Sequence, residues 1–263
     1  MFNKKVYDDV IFEHTLTAEV SPGDFSVHHH TEYEILLSIR GIGRYLIEDT
    51  EYELTENTML LIPPGKYHVL KTPPKNNYER YVIRFAESYL PDFLQKPDVI
   101  YKSVSEDVRS LFTKFDNYVD SYPENTHRLL LMSLLTETLI NLAYDKSHKN
   151  ALSDTLPDLV KGVINYVSDN IHDKLDLSTI SKAFFVSDTY LSHLFQKNMN
   201  ISLMKYVRIK KMYKAREYLM SGMPAVKTAE ILGYVDYPTF FKNYKSFFKI
   251  SPSKQSKTVK KVT

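Results

Sequence analysis

The chain has 263 residues and a mass of 30.7 kDa, with 43% hydrophobic and 25% charged residues, which excludes a disordered or fibrous protein and suits two domains. It contains no cysteine, which excludes a disulfide framework, a cysteine-ligated zinc or iron–sulfur site and a thiol nucleophile. The formal charge of +2 hides an asymmetry: residues 1–156 hold 16 basic and 24 acidic groups, net −8, whereas residues 157–263 hold 18 and 8, net +10.

The first ten residues, MFNKKVYDDV, lack the apolar segment of a secretory leader, and no stretch approaches the roughly 18 uncharged apolar residues of a membrane span. The expectation is a soluble, cytoplasmic chain without a membrane partner. Up to about residue 90 the runs 34–39 (EILLSI), 43–47 (GRYLI), 59–62 (MLLI) and 81–85 (YVIRF) predict short strands, separated by Gly, Pro, Asn and Asp. Such spacing suggests an antiparallel barrel or sandwich. In a strand, residues i and i+2 share a face, so His28 and His30 can point together into a barrel, where Glu34 and His68 can join them. Arg44, Tyr45 and Arg84 also lie on predicted strands, as candidates for binding hydroxyls or a carboxylate. His14 and His29 have no patterned partner and are expected to be exposed.

Beyond residue 104 the period lengthens to about 3.6. Val108, Leu111, Phe112, Phe115 and Val119 predict a helix over 105–119, and the Leu-rich segment 124–144 predicts another. Both need an apolar surface to cover, either the strands or the same helices of a second chain. The polar segment 146–157 reads as a linker.

From 156 to 248 the chain reads as about seven short helices. Ser187 is a good N-cap for a helix that turns Leu191, Leu194 and Phe195 inward; Asp236 caps another, with Pro238 in its first turn and Phe240 and Tyr244 inward. These two helices superpose at an offset of 49 residues and the short helices before them at 48, an internal repeat of a helix-turn-helix unit. The amphipathic segment 203–220 between the units can hold their second helices about 34 Å apart, one turn of DNA. It carries Lys205, Arg208, Lys210, Lys211 and Lys214, which favours a polyanionic partner. A plain helical bundle with purely structural caps is the alternative. Residues 249–263, with five Lys and no acid, are expected to form a partly disordered tail.

Residues 160–255 resemble the DNA-binding domain of AraC/XylS-type bacterial transcription regulators. Ala229, Gly233-Tyr234, Asp236, Phe240, Lys242, Tyr244-Lys245 and Ser251-Pro252 fall on that family's pattern. Ser181 departs from a usual Ala, Phe185, Lys249 and Asn200 from Gly, and Lys211 from Arg. Phe185 puts the turn of the first unit in question, so that unit is expected to be the weaker DNA reader. The resemblance implies that Thr189, Ser192, His193 and Gln196 of the first unit, and Tyr237, Thr239, Phe241 and Lys242 of the second, face the major groove, with Lys245 on a phosphate.

The first half is similar to cupins: His28, His30, Glu34 and Gly41 fit His-x-His-x3-Glu-x6-Gly, and Pro63, Gly65 and His68 fit Pro-x-Gly-x2-His, with Asn57 where the second motif usually opens on Gly. Gly23 precedes the set. In metal-binding cupins the positions of His28, His30, Glu34 and His68 hold Mn, Fe, Ni or Zn. In regulators of this type the pocket takes a small effector, often a sugar, without metal, and Arg40 falls where sugar-responsive members contact their ligand. A metal site, polar residues lining an effector pocket and a structural role all remain open for these side chains; no other cofactor is expected.

Together the resemblances imply a two-domain protein. An all-β cupin-like effector barrel over 1–95 is followed by dimerisation and linker helices over 96–150. An all-α domain over 157–255 has two helix-turn-helix units joined by a long helix, and 256–263 is a basic tail. The implied function is a ligand-responsive, sequence-specific transcription regulator, an activator of a small-molecule pathway such as carbohydrate utilisation. It would be a homodimer with promoter DNA, a small effector and RNA polymerase as partners. The alternative, a metal-dependent cupin oxygenase or isomerase with a helical appendage, explains the four-ligand set but neither the repeat nor the charge split.

Overall fold

The structure is a computed structural model that describes residues 3–7, 9–17, 28–72, 77–94, 97–144, 156–199 and 201–259. It divides into two compact units, Met1–Thr155 and Leu156–Thr263.

In the first unit, the strands are β1 (Asn3–Tyr7), β2 (Val10–Thr17), β3 (Tyr33–Arg40), β4 (Gly43–Ile47), β5 (Thr50–Leu54), β6 (Thr58–Ile62), β7 (His68–Thr72), β8 (Tyr78–Phe85) and β9 (Ile100–Ser103). They form a six-stranded antiparallel sheet in the order β1-β2-β8-β3-β6-β9 and a three-stranded sheet in the order β5-β4-β7. β3 shows why its sequence is apolar without a break. Tyr33, Ile35, Leu37 and Ile39 enter the core beneath two helices, whereas Leu36 enters the core between the sheets, so both faces are covered. Asn57, standing where the motif usually has Gly, adopts φ +58°, a conformation that Asn tolerates better than other side chains.

The helices are α1 (Glu106–Ser121) and α2 (Glu124–Tyr144). Ser105 caps α1 by accepting the Val108 N–H at 3.4 Å. Val108, Phe112 and Phe115 of α1 and Leu131, Leu134, Leu135, Leu139 and Leu142 of α2 cover the outer face of the larger sheet. Of the two surfaces expected for these helices, the sheet is therefore the one that this chain itself provides. The region 96–150 is not purely helical as expected: β9 pairs with β6, extending the sheet to residue 103. Four residues are too few to show a period, but Lys102 gives β9 a second role. Its buried Nζ donates to the Leu142 carbonyl at 2.7 Å, neutralising the C-terminal end of α2. The predicted linker lies largely outside the described residues.

The second unit contains α3 (Asp158–Asp169), α4 (Leu177–Ala183), α5 (Asp188–Met199), α6 (Leu203–Met220), α7 (Ala225–Ile231), α8 (Tyr237–Phe248) and α9 (Pro252–Val259). Six of these, rather than about seven, lie between 156 and 248. The tail expected from 249 is instead helical over most of its described length. Pro252 opens α9, the Ser251 hydroxyl accepts the Lys254 N–H at 3.4 Å, and Gln255 is buried where it accepts the Tyr244 hydroxyl at 3.4 Å. The departure at Phe185 does not break the first unit's turn. Phe185 adopts φ +55° and the equivalent Gly233 φ +69°, so the backbone bends alike and the Phe side chain is left 96% exposed. Asn200 lies outside the described residues.

Candidate effector pocket and DNA-reading face

His28, ahead of β3, makes an isolated pairing with His68 of β7, and their N–H groups each donate to the other's carbonyl at 3.1 and 2.9 Å. Beside it the imidazoles of His28, His30 and His68 stand with ring centres 4.4–5.1 Å apart. Glu34, on β3 and 4% exposed, reaches His30 Nε2 at 2.8 Å and His68 Nε2 at 3.8 Å. The ligand atoms of these four residues all lie within 4.8 Å of one another.

Burial pushes the His68 imidazole down to about 4, so it is neutral at pH 7. Its Nδ1 lies 2.9 Å from the Lys66 carbonyl and therefore carries the proton, which leaves the Nε2 lone pair facing the cluster. That Nε2 is buried and has no hydrogen-bond partner among the described residues. Burial alone would raise the Glu34 carboxyl, but the hydrogen bond with His30 and the neighbouring imidazoles outweigh it and hold the group well below the usual carboxylate range.

His28, His30 and Glu34 open on a cavity of about 140 Å³ that Leu36, Tyr45, Tyr78, Arg80 and Arg84 also line, with His68 buried behind them. Two of the expected contacts behave differently. Arg40 lies outside this cavity: the strand register shifts between Ser38 and Arg40, and the side chain, 59% exposed, reaches Glu79 at 3.8 Å. Arg44 is likewise exposed, near Glu51. Arg80 and Tyr78 were missed, although β8 carried the signal: Tyr78, Arg80, Val82 and Arg84 alternate along the strand, and Arg80, Val82 and Arg84 pair with Ser38, Leu36 and Glu34 of β3 on one face.

His14 and His29 are not exposed as expected. His14 is buried between Glu79, 3.0 Å from Nε2, and Asp116, 2.7 Å from Nδ1, and it stacks on Tyr81. His29 is half-buried, with its ring 5.2 Å from that of Tyr67. Sequence pattern could not show the His14 site because its partners come from a distant strand and a helix.

In the second unit the caps act as read. Ser187 accepts the Tyr190 N–H at 3.2 Å, and Asp236 accepts the Thr239 N–H at 2.7 Å. Leu191, Phe195, Phe240 and Tyr244 are buried, which turns the opposite faces of α5 and α8 outward. Thr189, His193, Gln196, Thr239, Lys242 and Lys245 are exposed, and Ser192, Tyr237 and Phe241 are half-buried. The Thr239 hydroxyl donates to Asp236 at 3.0 Å, which ties part of its capacity to the cap. Tyr190 was missed: it occupies the position equivalent to Thr239 and is 54% exposed. Of the α6 cations, Lys205 and Arg208 are exposed, and Lys214 reaches Glu217 at 3.1 Å. Lys211 is a correction, for it is buried and donates to the carbonyls of Asp173 and Leu232 at 2.6 and 2.7 Å.

Residues 19–139 match the family model of the AraC-like ligand binding domain, and residues 180–258 match that of a helix-turn-helix domain. The chain is an AraC/XylS-type transcription regulator. It is 25% identical to the uncharacterized HTH-type transcriptional regulator YfiF of Bacillus subtilis (strain 168), over 79% of this chain and 71% of that one. It is 23% identical to the arabinose operon regulatory protein of Escherichia coli (strain K12), over 84% and 79%. With the lactose operon transcription activator of Staphylococcus xylosus it shares 20% identity over 96% and 93%. An AraC/XylS-type regulator is a DNA-binding protein with a ligand-binding domain and not an enzyme, so the cupin-enzyme alternative is set aside. Among the described residues no helix is long and apolar enough to cross a membrane.

The four-residue cluster of this regulator also fits a divalent metal. Three imidazoles and a carboxylate are ligands for first-row ions. Such ligands need an imidazole lone pair, and His68 has one directed at the cluster while its other nitrogen is fixed by the Lys66 carbonyl.

Proposed function

We propose that this regulator activates transcription when a small molecule occupies the pocket of His28, His30, Glu34 and His68, with a divalent ion held by those four residues. In this reading Arg80 and Arg84 replace Arg40 as the cationic contacts. The repeated, capped helix-turn-helix is the observation that carries the DNA part: α5 and α8 present equivalent outward positions, Ser192 with Phe241, His193 with Lys242 and Gln196 with Lys245. Thr189, Tyr237 and Thr239 complete the reading set, and DNA places the protein in the cytoplasm. The effector belongs to carbohydrate utilisation, as the operon names of two relatives suggest. The chain acts as a homodimer through α2, on which Leu129, Ile140 and Tyr144 are exposed. The exposed turn from Lys182 to Phe185 is assigned to RNA polymerase.

The two lysines on α8 test the DNA reading. Lys242→Ala should reduce discrimination between operator and unrelated DNA by about 1–3 kcal/mol, whereas Lys245→Ala should weaken binding to both about equally. Mobility shifts on the two DNAs measure this, and an equal loss on both from Lys242→Ala would remove its role as a base reader.

A further inference from the structure

The size and charge of the effector cavity narrow the chemical class of the effector, an inference that rests on the metal and effector reading of that same site. The cavity, about 140 Å³, is close to the ~150 Å³ that accommodates benzene, with about six non-hydrogen atoms. A pentose or hexose, with roughly ten to twelve such atoms, exceeds this space and would have to extend through its open side.

The walls select further. On one side stands the His28, His30, Glu34 and His68 cluster. Arg80 also lines the cavity, with its guanidinium 5.0 Å above the Tyr78 ring. Tyr45 and Tyr78, both buried, line the cavity together with Glu34 and Arg80, so the carboxylate and the guanidinium flank one small space. Arg84 and Glu13 face each other at 3.4 Å and offset one another. A divalent ion on the cluster more than offsets Glu34, so with Arg80 the cavity favours an anion. A six-coordinate ion held by four protein atoms keeps two positions for an incoming chelator.

We infer that the effector is a short 2-oxo or 2-hydroxy carboxylic acid, of about six non-hydrogen atoms, that chelates the ion and presents its carboxylate to Arg80. Its short aliphatic end lies against Leu36 and Val82. This is the class of product that sugar breakdown yields, and it accommodates a carbohydrate-linked regulator without a sugar in the pocket.

The test uses the full chain, stripped by a chelator and titrated calorimetrically with Mn²⁺. The loaded protein is then titrated with pyruvate, L-lactate, L-arabinose and D-galactose. The expected result is one ion per chain, an acid that binds only to loaded protein, and no sugar binding. Arg80→Gln should weaken acid binding by at least about tenfold with ion affinity unchanged, and Arg80→Lys, which keeps the charge and most of the bulk, should recover part of the loss. Binding of a sugar but neither acid by the loaded protein overturns the inference and leaves the metal reading standing. A folded chain that takes up no ion overturns both. Acid binding unaffected by either Arg80 variant overturns the role of Arg80. Acid binding that leaves operator affinity and transcription unchanged would instead count against the effector reading alone.

Discussion

Two residues show how far local pattern reaches. Phe185 departs from the family's Gly, yet the turn forms, so the chain absorbs the cost of a bulky side chain at φ +55°, about 1–2 kcal/mol. Because the ring is 96% exposed, Phe185→Gly loses almost no packing. Relief of strain, less the greater entropy of an unfolded glycine, should stabilise the DNA-binding unit by about 0.5–1 kcal/mol, read as a later midpoint in urea. His14 is the opposite case: its sequence neighbours say nothing, and Glu79 and Asp116 decide its state. Burial alone would lower its pKa, but those two carboxylates outweigh burial and raise it. A raised histidine contributes stability fully below its unfolded value of about 6.5, and that contribution is lost as pH rises through the folded value. Stability of the first unit should therefore fall from about pH 6.5 upward. His14→Gln should flatten that part of the profile, as followed by thermal unfolding across pH. An unchanged slope in the variant would assign the titration elsewhere.

At the scale of elements, helices were legible where they announce their start or their buried face; α9, in the segment expected to be a tail, was not. Ser105, Ser187 and Asp236 are caps, and 3.6-residue periodicity marks α1, α2 and α8. The strands were legible only where they are long or apolar; β9 and the polar β1 needed a partner strand to define them. The junction between the two helix-turn-helix units was hidden for the same reason. Lys211 on α6 ties the Asp173 carbonyl, before the first unit, to the Leu232 carbonyl, at the turn of the second. Gly233 packs against the same backbone, and a Cβ there would meet the His172 carbonyl oxygen at 3.0 Å while φ is +69°. Lys211→Met would leave two buried carbonyls without a donor and should cost about 3 kcal/mol, whereas Lys211→Arg retains donors and should cost less. Gly233→Ala should cost about 2 kcal/mol, because the opposing atoms are backbone and cannot swing aside. Urea unfolding of the three variants ranks them, and a Met variant as stable as wild type would show that Lys211 is not a clamp.

At the scale of the whole molecule, the charge split follows the structural division almost residue for residue: the units part at Thr155 and Leu156, and the net charges of −8 and +10 were divided at 156 and 157. Each unit has its own core, one built on Phe12, Ile35 and Phe112 and another on Met212, Leu219, Phe240 and Tyr244. A unit with its own core and all of the excess positive charge should fold and bind DNA when produced alone as 156–263. Its affinity should follow counterion release, with a log–log slope of about −0.9 per phosphate neutralised. The −8 unit supplies no phosphate contacts, so the slope for the full chain should match that of 156–263 counted per DNA-binding unit, even where dimerisation makes the full chain bind more tightly. Titrating both proteins onto one operator at several salt concentrations separates the two effects. A steeper slope per unit for the full chain would mean that the acidic half brings cations of its own to the DNA.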